Sequence, residues 1–272
     1  HGFPAQSEVY GGSVRIGILA LPFALFANAA LSAPVPDCAG PLEITNAHIV
    51  RVEPTNDVLV LRDGRAVHLE GIRFPHGGQD RAPSIVADQA FDAITKMVRG
   101  HTVDVSSVPP KEDRYDRVRG QVFSDDEQWV QSALLKRGLA RVDISPDRDE
   151  CAAELYAAEA GARAANRGLW AQIAYRVRTP GALGGDTGTF QIVQGRVLTA
   201  DVKGGRAYID FGADWKTDFT VTIAPEDMAK FRKDGLDPRD YAGKTIRVRG
   251  IVQQFNGPEI EIANPKQIEL LQ

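Results

Sequence analysis

The stretch NDVLVLRDGRAVHLEGIRFP, residues 56–75, constrains the fold more than any other part of the chain. Two runs of β-branched and apolar residues, 58–61 and 66–72, flank Asp63-Gly64, and an Asp-Gly pair between such runs marks a tight hairpin turn. Pro75 closes the second run, because proline has no N–H to give to a ladder. A further β-rich run at 44–52 precedes the hairpin, so the chain is expected to open as a three-stranded meander.

Downstream the period changes. After Pro83, the residues Val86, Ala90, Ile94 and Met97 recur at helical spacing up to Gly100. HTVDVSSV and RVRGQVF then alternate as strands around the loop PPKEDRYD, and WVQSALLKRG and CAAELYAAEAGARAANRG read as two more helices. The order over 34–172 is three strands, a helix, two strands and two helices. Residues 173–188, containing YRVRTPGALGGDTG, show no hydrophobic period and read as a linker. Over 189–272 come five strands with a helix, PEDMAKFRK, between the third and fourth, an order that resembles an OB-fold barrel. The expected class is therefore β-rich α+β, with two small barrels in series. A fold of this type names no ligand by itself.

Residues 1–33 read as a secretory signal peptide with an upstream segment: Arg15, an apolar run from Ile16 to about Ala30, and small residues through Ala33. Export would place Cys38 and Cys151, the two cysteines of the chain, where pairing is favoured. A periplasmic or extracellular location without a membrane span in the mature chain follows as an expectation.

Charge argues against a polyanion partner. The formal net charge is -4, with 19 Lys and Arg against 22 Asp and Glu over 34–184, and 12 against 13 over 185–272. Nucleic-acid binders usually carry a basic excess, since phosphate neutralisation supplies much of their affinity. In the second barrel Tyr208, Phe211, Phe219 and Phe255 fall in alternating strands and read as core, whereas Trp215 lies in the polar turn GADWKTD and reads as exposed.

Three segments in order, NDVLVLRDGRAVHLEGIRFP, DRYDRVRGQVF and WVQSALLKRGLARV with the later NRGLW, make residues 43–171 resemble the staphylococcal nuclease (thermonuclease) family. That resemblance implies a calcium ion held by two aspartates, two phosphate-gripping arginines and a glutamate that activates water. Hard cations prefer carboxylate oxygens, arginine forks match phosphate, and an attacking water needs a base within reach. Carried onto this chain, the first metal aspartate is Asp57, or Asn56 if the turn slips by one residue, and the second phosphate arginine is Arg117. The first phosphate arginine falls on His68, the second metal aspartate on Arg73 and the glutamate on His76.

The hairpin thus keeps its turn and loses its acids. Two like unit charges ~4 Å apart repel by roughly 4 kcal/mol at an effective dielectric of about 20, and a divalent ion beside arginine fares worse. Arg73 is expected to pair with Asp57 in place of calcium. No cofactor is expected, calcium being the one ion the resemblance implies for a working seat. His68, His76 and Asp57 could alternatively form a transition-metal site, and His76 could replace the glutamate as base. Arg114, Arg117 and Arg119 could line a phosphate pocket beside Tyr115 or stand as solvated strand charges; Lys136, Arg137 and Arg141 carry the same ambiguity. Three functional readings remain: a binding or scaffolding module for a protein or envelope component, a phosphodiesterase with altered metal using Arg117 and His76, and nucleic-acid binding without cleavage.

Overall fold

The hairpin at 56–75 belongs to a closed five-stranded barrel, whereas the second part, expected as a five-stranded barrel, holds eight strands in two sheets. A computed structural model describes Gly2, residues 35–126 and residues 128–271; the expected export segment, 1–33, lies outside the described residues apart from Gly2. The first part contains β1 (Leu42–Glu53), β2 (Val58–Leu61), β3 (Ala66–Leu69), β4 (Ile72–Arg73), α1 (Ser84–Val98), β5 (Thr102–Ser106), β6 (Val118–Ser124), α2 (Val130–Lys136), β7 (Arg141–Val142) and α3 (Ala152–Ala164). Strands β1, β2, β3, β6 and β5 close into a barrel in that order. Within it β3 and β6 run parallel, while β1 and β5 pair antiparallel. Asp63-Gly64 forms the expected turn, with Gly64 at φ 91°.

The second part contains β8 (Phe190–Arg196), β9 (Thr199–Lys203), β10 (Arg206–Asp210), β11 (Thr220–Ile223), α4 (Met228–Lys233), β12 (Thr245–Ile251), β13 (Gln253–Phe255), β14 (Gly257–Ile262) and β15 (Ile268–Leu271). These form a five-stranded sheet, β13-β14-β11-β10-β9, and a three-stranded sheet, β15-β12-β8. Here β11 and β14 are parallel and β8 and β12 antiparallel, the same crossings as in the first barrel. A meander, a helix and two returning strands therefore occur twice. The added strand β15 and the turn at Pro265–Gln267 are the second part's own.

Alternation explains the burial. In α1, Ala90, Ile94, Met97 and Val98 face the first core, and Val86, at the same spacing, is buried against Leu169 and Tyr175. In β10, Ala207 and Ile209 point into the second core and Arg206, Tyr208 and Asp210 point out. The expected core role therefore fails for Tyr208, and Phe255 is 72% exposed because it stands at the tip of the β13–β14 hairpin beside Asn256 at φ 61°. Phe219 is buried and Phe211 packs on it at 5.0 Å between ring centroids, as read from sequence.

The stretch 173–188 is not a free strap. Tyr175 and Leu183 are buried, Arg178 bonds Asp186 at 2.9 Å, and the Arg178 N–H donates to Ile192 O at 2.8 Å. A few widely spaced anchors hold it without any hydrophobic period. Leu31–Gln272 consequently forms one compact unit of contacts, and a small cluster of Ala162, Trp170, Phe190 and Ile192 packs α3 against β8.

At the centre of this junction lies a buried ion pair. The Arg249 guanidinium of β12 donates to both carboxylate oxygens of Glu159 in α3, at 2.9 and 2.6 Å, and to Val142 O at 3.2 Å. Glu159 also accepts from the Val142 N–H at 2.8 Å and from Arg163 at 2.6 Å. The Arg249 plane lies 4.6 Å from the Tyr156 ring centroid. Removing one member of such a pair leaves the other charge buried and unmatched. Glu159→Ala is expected to lower the unfolding free energy by about 3–5 kcal/mol in urea denaturation, and the double change Glu159→Leu with Arg249→Met to recover most of it.

The two cysteines form the Cys38–Cys151 disulfide, with a Cα–Cα distance of 5.1 Å across 113 residues of sequence. It clips the turn at Asp37–Ala39 to the start of α3. Closing a loop of this length is worth about 5 kcal/mol by chain entropy. Thiol labelling of the denatured, unreduced protein should find no free thiol, and reduction should lower stability by about 2–5 kcal/mol in the same denaturation assay.

Candidate functional site

Of the residues that match the family positions, Asp57, His68 and Arg73 lie close together, where β2, β3 and β4 meet. Asp57 follows the turn Pro54–Asn56 and takes φ 55°, a left-handed conformation that a short polar side chain tolerates. Its carboxylate accepts the Phe74 N–H at 2.5 Å, and its backbone oxygen accepts the Leu69 N–H at 2.9 Å. Asp57 therefore ties the start of β2 to the end of β4, and its partner is a backbone amide.

Arg73 does not pair with Asp57 as the sequence suggests. Its guanidinium reaches Asp80 at 3.3 Å and Asp143 at 3.3 Å, and its face lies 5.1 Å from the Phe190 ring centroid of the second barrel. The cause is register: β4 pairs with β7 so that Arg73 stands opposite Arg141. Two adjacent guanidiniums need a shared anion, and Asp80 supplies it from the turn Gly78–Asp80, bonding Arg141 as well and accepting the Tyr175 hydroxyl. Arg141 is buried, stacks at 4.8 Å on Phe190 and donates to Phe190 O at 3.3 Å. Lys136 and Arg137, its neighbours in the sequence reading, are exposed.

The other cations are engaged in the same way. Arg119 makes two forked pairs, one to Glu70 at 2.9 and 3.0 Å and one to Asp147 at 2.8 Å for both bonds. It is neither a solvated strand charge nor an open phosphate ligand. Arg117 donates to Asp113 at 2.7 Å and lies 4.9 Å from the exposed Tyr115 ring, with Arg114 at 4.8 Å from the same ring. His68 contacts Glu70 at 3.3 Å, and half-buried His76 turns its Nδ1 to Gly77 O. Arg73, His68 and Asp57 share one neighbourhood; Arg117 is held apart from it by its own aspartate.

Asp80, Glu70 and Asp143 were not singled out by sequence reasoning. Only spatial pairing with Arg73, Arg119 and Arg141, over separations of 7 to 70 residues, gives them a role. The DRAP context of Asp80 contains no pattern that distinguishes it from a surface loop acid.

Calcium does not fit this donor set. A hard cation takes about six to eight oxygen ligands, whereas of the acids near Asp57, Asp57 itself is bonded to the Phe74 amide and Asp143 to Arg73, with His68 and Arg73 adding positive charge beside them. Among the described residues, the groups of three or more clustered ligand types are Cys38, Cys151 and Glu154, and His101, Asp125 and Asp126; neither includes Asp57, His68 or His76. The transition-metal alternative on those three residues therefore lacks the required convergence.

Burial pushes the Asp57 carboxyl up from 3.8 to about 7, against the Phe74 amide and the nearby His68 and Arg73 charges, which pull it down. For Glu70 burial also acts upward, yet hydrogen bonds from His68 and Arg119 prevail and hold it well below the carboxylate range. A folded acid with a raised pKa binds its proton where the unfolded chain has released it, so its contribution is full below 3.8 and lost as pH rises to about 7. Asp57→Asn keeps an oxygen for the Phe74 amide and removes the titration. Its melting temperature relative to the parent should rise between about pH 4 and pH 8; an unchanged difference across that range would show a solvated carboxylate.

Comparison with known proteins agrees with the strand order. The family model described as "Staphylococcal nuclease homologue" matches residues 66–172, which span β3 to the turn Gly168–Ala171. No curated protein matches the chain. The match begins inside the hairpin that carries His68 and Arg73 and runs through Arg117 and α3. Residues 66–172 of the first barrel are therefore a staphylococcal nuclease-like match, and the barrel that contains them has a β-rich fold with helices consistent with it.

Proposed function

We propose that this chain is an exported binding or scaffolding protein that uses a nuclease-like barrel without calcium-dependent hydrolysis of nucleic acid. The observation that carries the reading is Arg73, standing where the resemblance places a metal aspartate and held there by Asp80 and Asp143 beneath Phe190. A guanidinium fixed by two carboxylates and an aromatic face fills the seat with charge of the wrong sign for a cation. The family-like phosphate arginine, Arg117, is neutralised by Asp113, and His76 has no acidic partner among the described residues.

Export is supported by the disulfide, which persists in oxidising compartments. Among the described residues, no helix is long and apolar enough to cross a membrane. The acidic balance of both barrels disfavours nucleic acid as the bound partner, so the partner is a protein or an envelope component.

Purified protein incubated with single-stranded DNA and RNA, in calcium, zinc or manganese and in chelator, should leave both polymers intact. Calorimetric titration with calcium should show no binding up to low millimolar concentration. Calcium-stimulated cleavage that Asp57→Ala abolishes would overturn the reading.

A further inference from the structure

The second barrel carries a lined cavity that the first barrel's chemistry does not involve. It is about 340 Å³ in volume and lies on the outer face of the five-stranded sheet. Register explains its floor: Asp210 of β10 stands opposite Thr220 of β11, which stands opposite Glu259 of β14, and period-two alternation turns all three away from the core. Tyr208, one pair further along β10, shares that face. Two loops then raise aromatic walls. Trp215, from the turn after β10, is 60% exposed and Phe255, from the β13–β14 tip, is 72% exposed, and both line the cavity.

Exposed aromatic rings are costly in water unless something covers them. Both sit on turns with ordered polar anchors: Asp214 and Asp218 bond within the Trp215 turn at 2.9 Å, and the Gln254 amide donates to Asn256 O at 2.5 Å. The rings are thus presented by built loops at the mouth of a polar-floored cavity.

The floor decides the ligand. Asp210 accepts the Thr220 hydroxyl at 2.8 Å and the Thr199 hydroxyl at 3.4 Å, and Glu259 accepts the Thr222 hydroxyl at 2.9 Å, but neither carboxylate has a cationic partner among the described residues. Each keeps acceptor capacity directed at the cavity. Burial raises the Glu259 carboxyl, as in a partly dry floor. With Lys203 as the cavity's other charged lining residue, the set carries one positive and two negative groups. Phosphate would meet two carboxylates and a single ammonium, which opposes a nucleic-acid strand. An organic cation would meet Lys203, and the Lys216 Nζ already lies 5.6 Å from the Trp215 ring centroid. A neutral polyol conflicts with neither: its hydroxyls donate to carboxylates and accept from the ammonium, and its C–H face lies on an aromatic ring.

We infer that this face binds a neutral pyranose ring of a glycan, stacked on Trp215 and Phe255, with its hydroxyls bonded to Asp210, Glu259 and Lys203. The assignment is independent of the reading of Arg73 and would stand if the first barrel proved active.

The test uses the full chain and a panel of neutral hexasaccharides, namely the oligomers of glucose in α and β linkage and of N-acetylglucosamine, with a thymidylate dodecamer and choline as controls. Calorimetry and tryptophan emission should show saturable binding of at least one hexasaccharide at millimolar concentration or below, insensitive to salt. Trp215→Ala and Phe255→Ala should each weaken it roughly tenfold or more, the scale for truncating an aromatic anchor, with unchanged melting temperature. Both rings are exposed, so neither variant is expected to unfold the barrel. The inference is overturned if no hexasaccharide binds, if both variants bind as the parent does, or if the dodecamer or choline binds at these residues instead.

Discussion

The Glu159–Arg249 pair governs the geometry of everything else. It is 0% and 1% exposed at its two side chains and joins a helix of the first barrel to a strand of the second. Charges so far from water must be matched where they lie, because several kcal/mol of desolvation are at stake for each ion. Glu159 is matched by Arg249, Arg163 and the Val142 amide, and Arg249 by Glu159, Glu269 and Val142 O, its Nε having no hydrogen-bond partner among the described residues. This leaves little freedom in the docking of the barrels. Tyr156 reinforces it by donating its hydroxyl to Lys266 O at 2.6 Å. Because the pair fixes β12, and β12 pairs with β8 along its length, it also fixes where Phe190 falls.

Phe190 falls on the arginines. Its ring lies about equally far from Arg73 and Arg141, at 5.1 and 4.8 Å, and its carbonyl accepts from Arg141. An aromatic face over a guanidinium is favourable, and more so when water is excluded. At this end of the first barrel the two arginines are matched by Asp80 and Asp143 and capped by Phe190 of the neighbouring sheet. An exposed arginine would attract phosphate; a buried one needs the carboxylates it is given.

Local patterns made the frame legible. The Asp-Gly turn, the helical spacing of Val86, Ala90, Ile94 and Met97, and the even cysteine count are each short-range or compositional signals, and each matches the structure. What stayed hidden depends on pairs distant in sequence. Asp80 is one loop acid among many until β4 and β7 place two arginines beside it, and Glu159 looks like any helix-face charge until Arg249, 90 residues later, meets it. The sequence suggests Asp57 as the partner of Arg73, but Asp57 is taken up by the Phe74 amide and Arg73 pairs with Asp80 and Asp143. Phe255 misled because alternation within a strand does not say that the strand stops at a hairpin tip. The stretch 173–188 misled because isolated anchors such as Tyr175 leave no period to detect.

The distribution of charge separates the two barrels by chemistry. In the first, Arg73, Arg117, Arg119 and Arg141 are all paired with carboxylates, so a domain of nuclease-like topology presents no cluster of free guanidiniums at that end among the described residues. In the second, Asp227, Glu261 and Glu269 are paired with Lys230, Arg206 and Arg247, whereas Asp210 and Glu259 have no cationic partner among the described residues and lie on the outer sheet face near the exposed rings of Trp215 and Phe255. A shared strand order therefore does not decide where charge is matched; the residues placed on the sheet faces do.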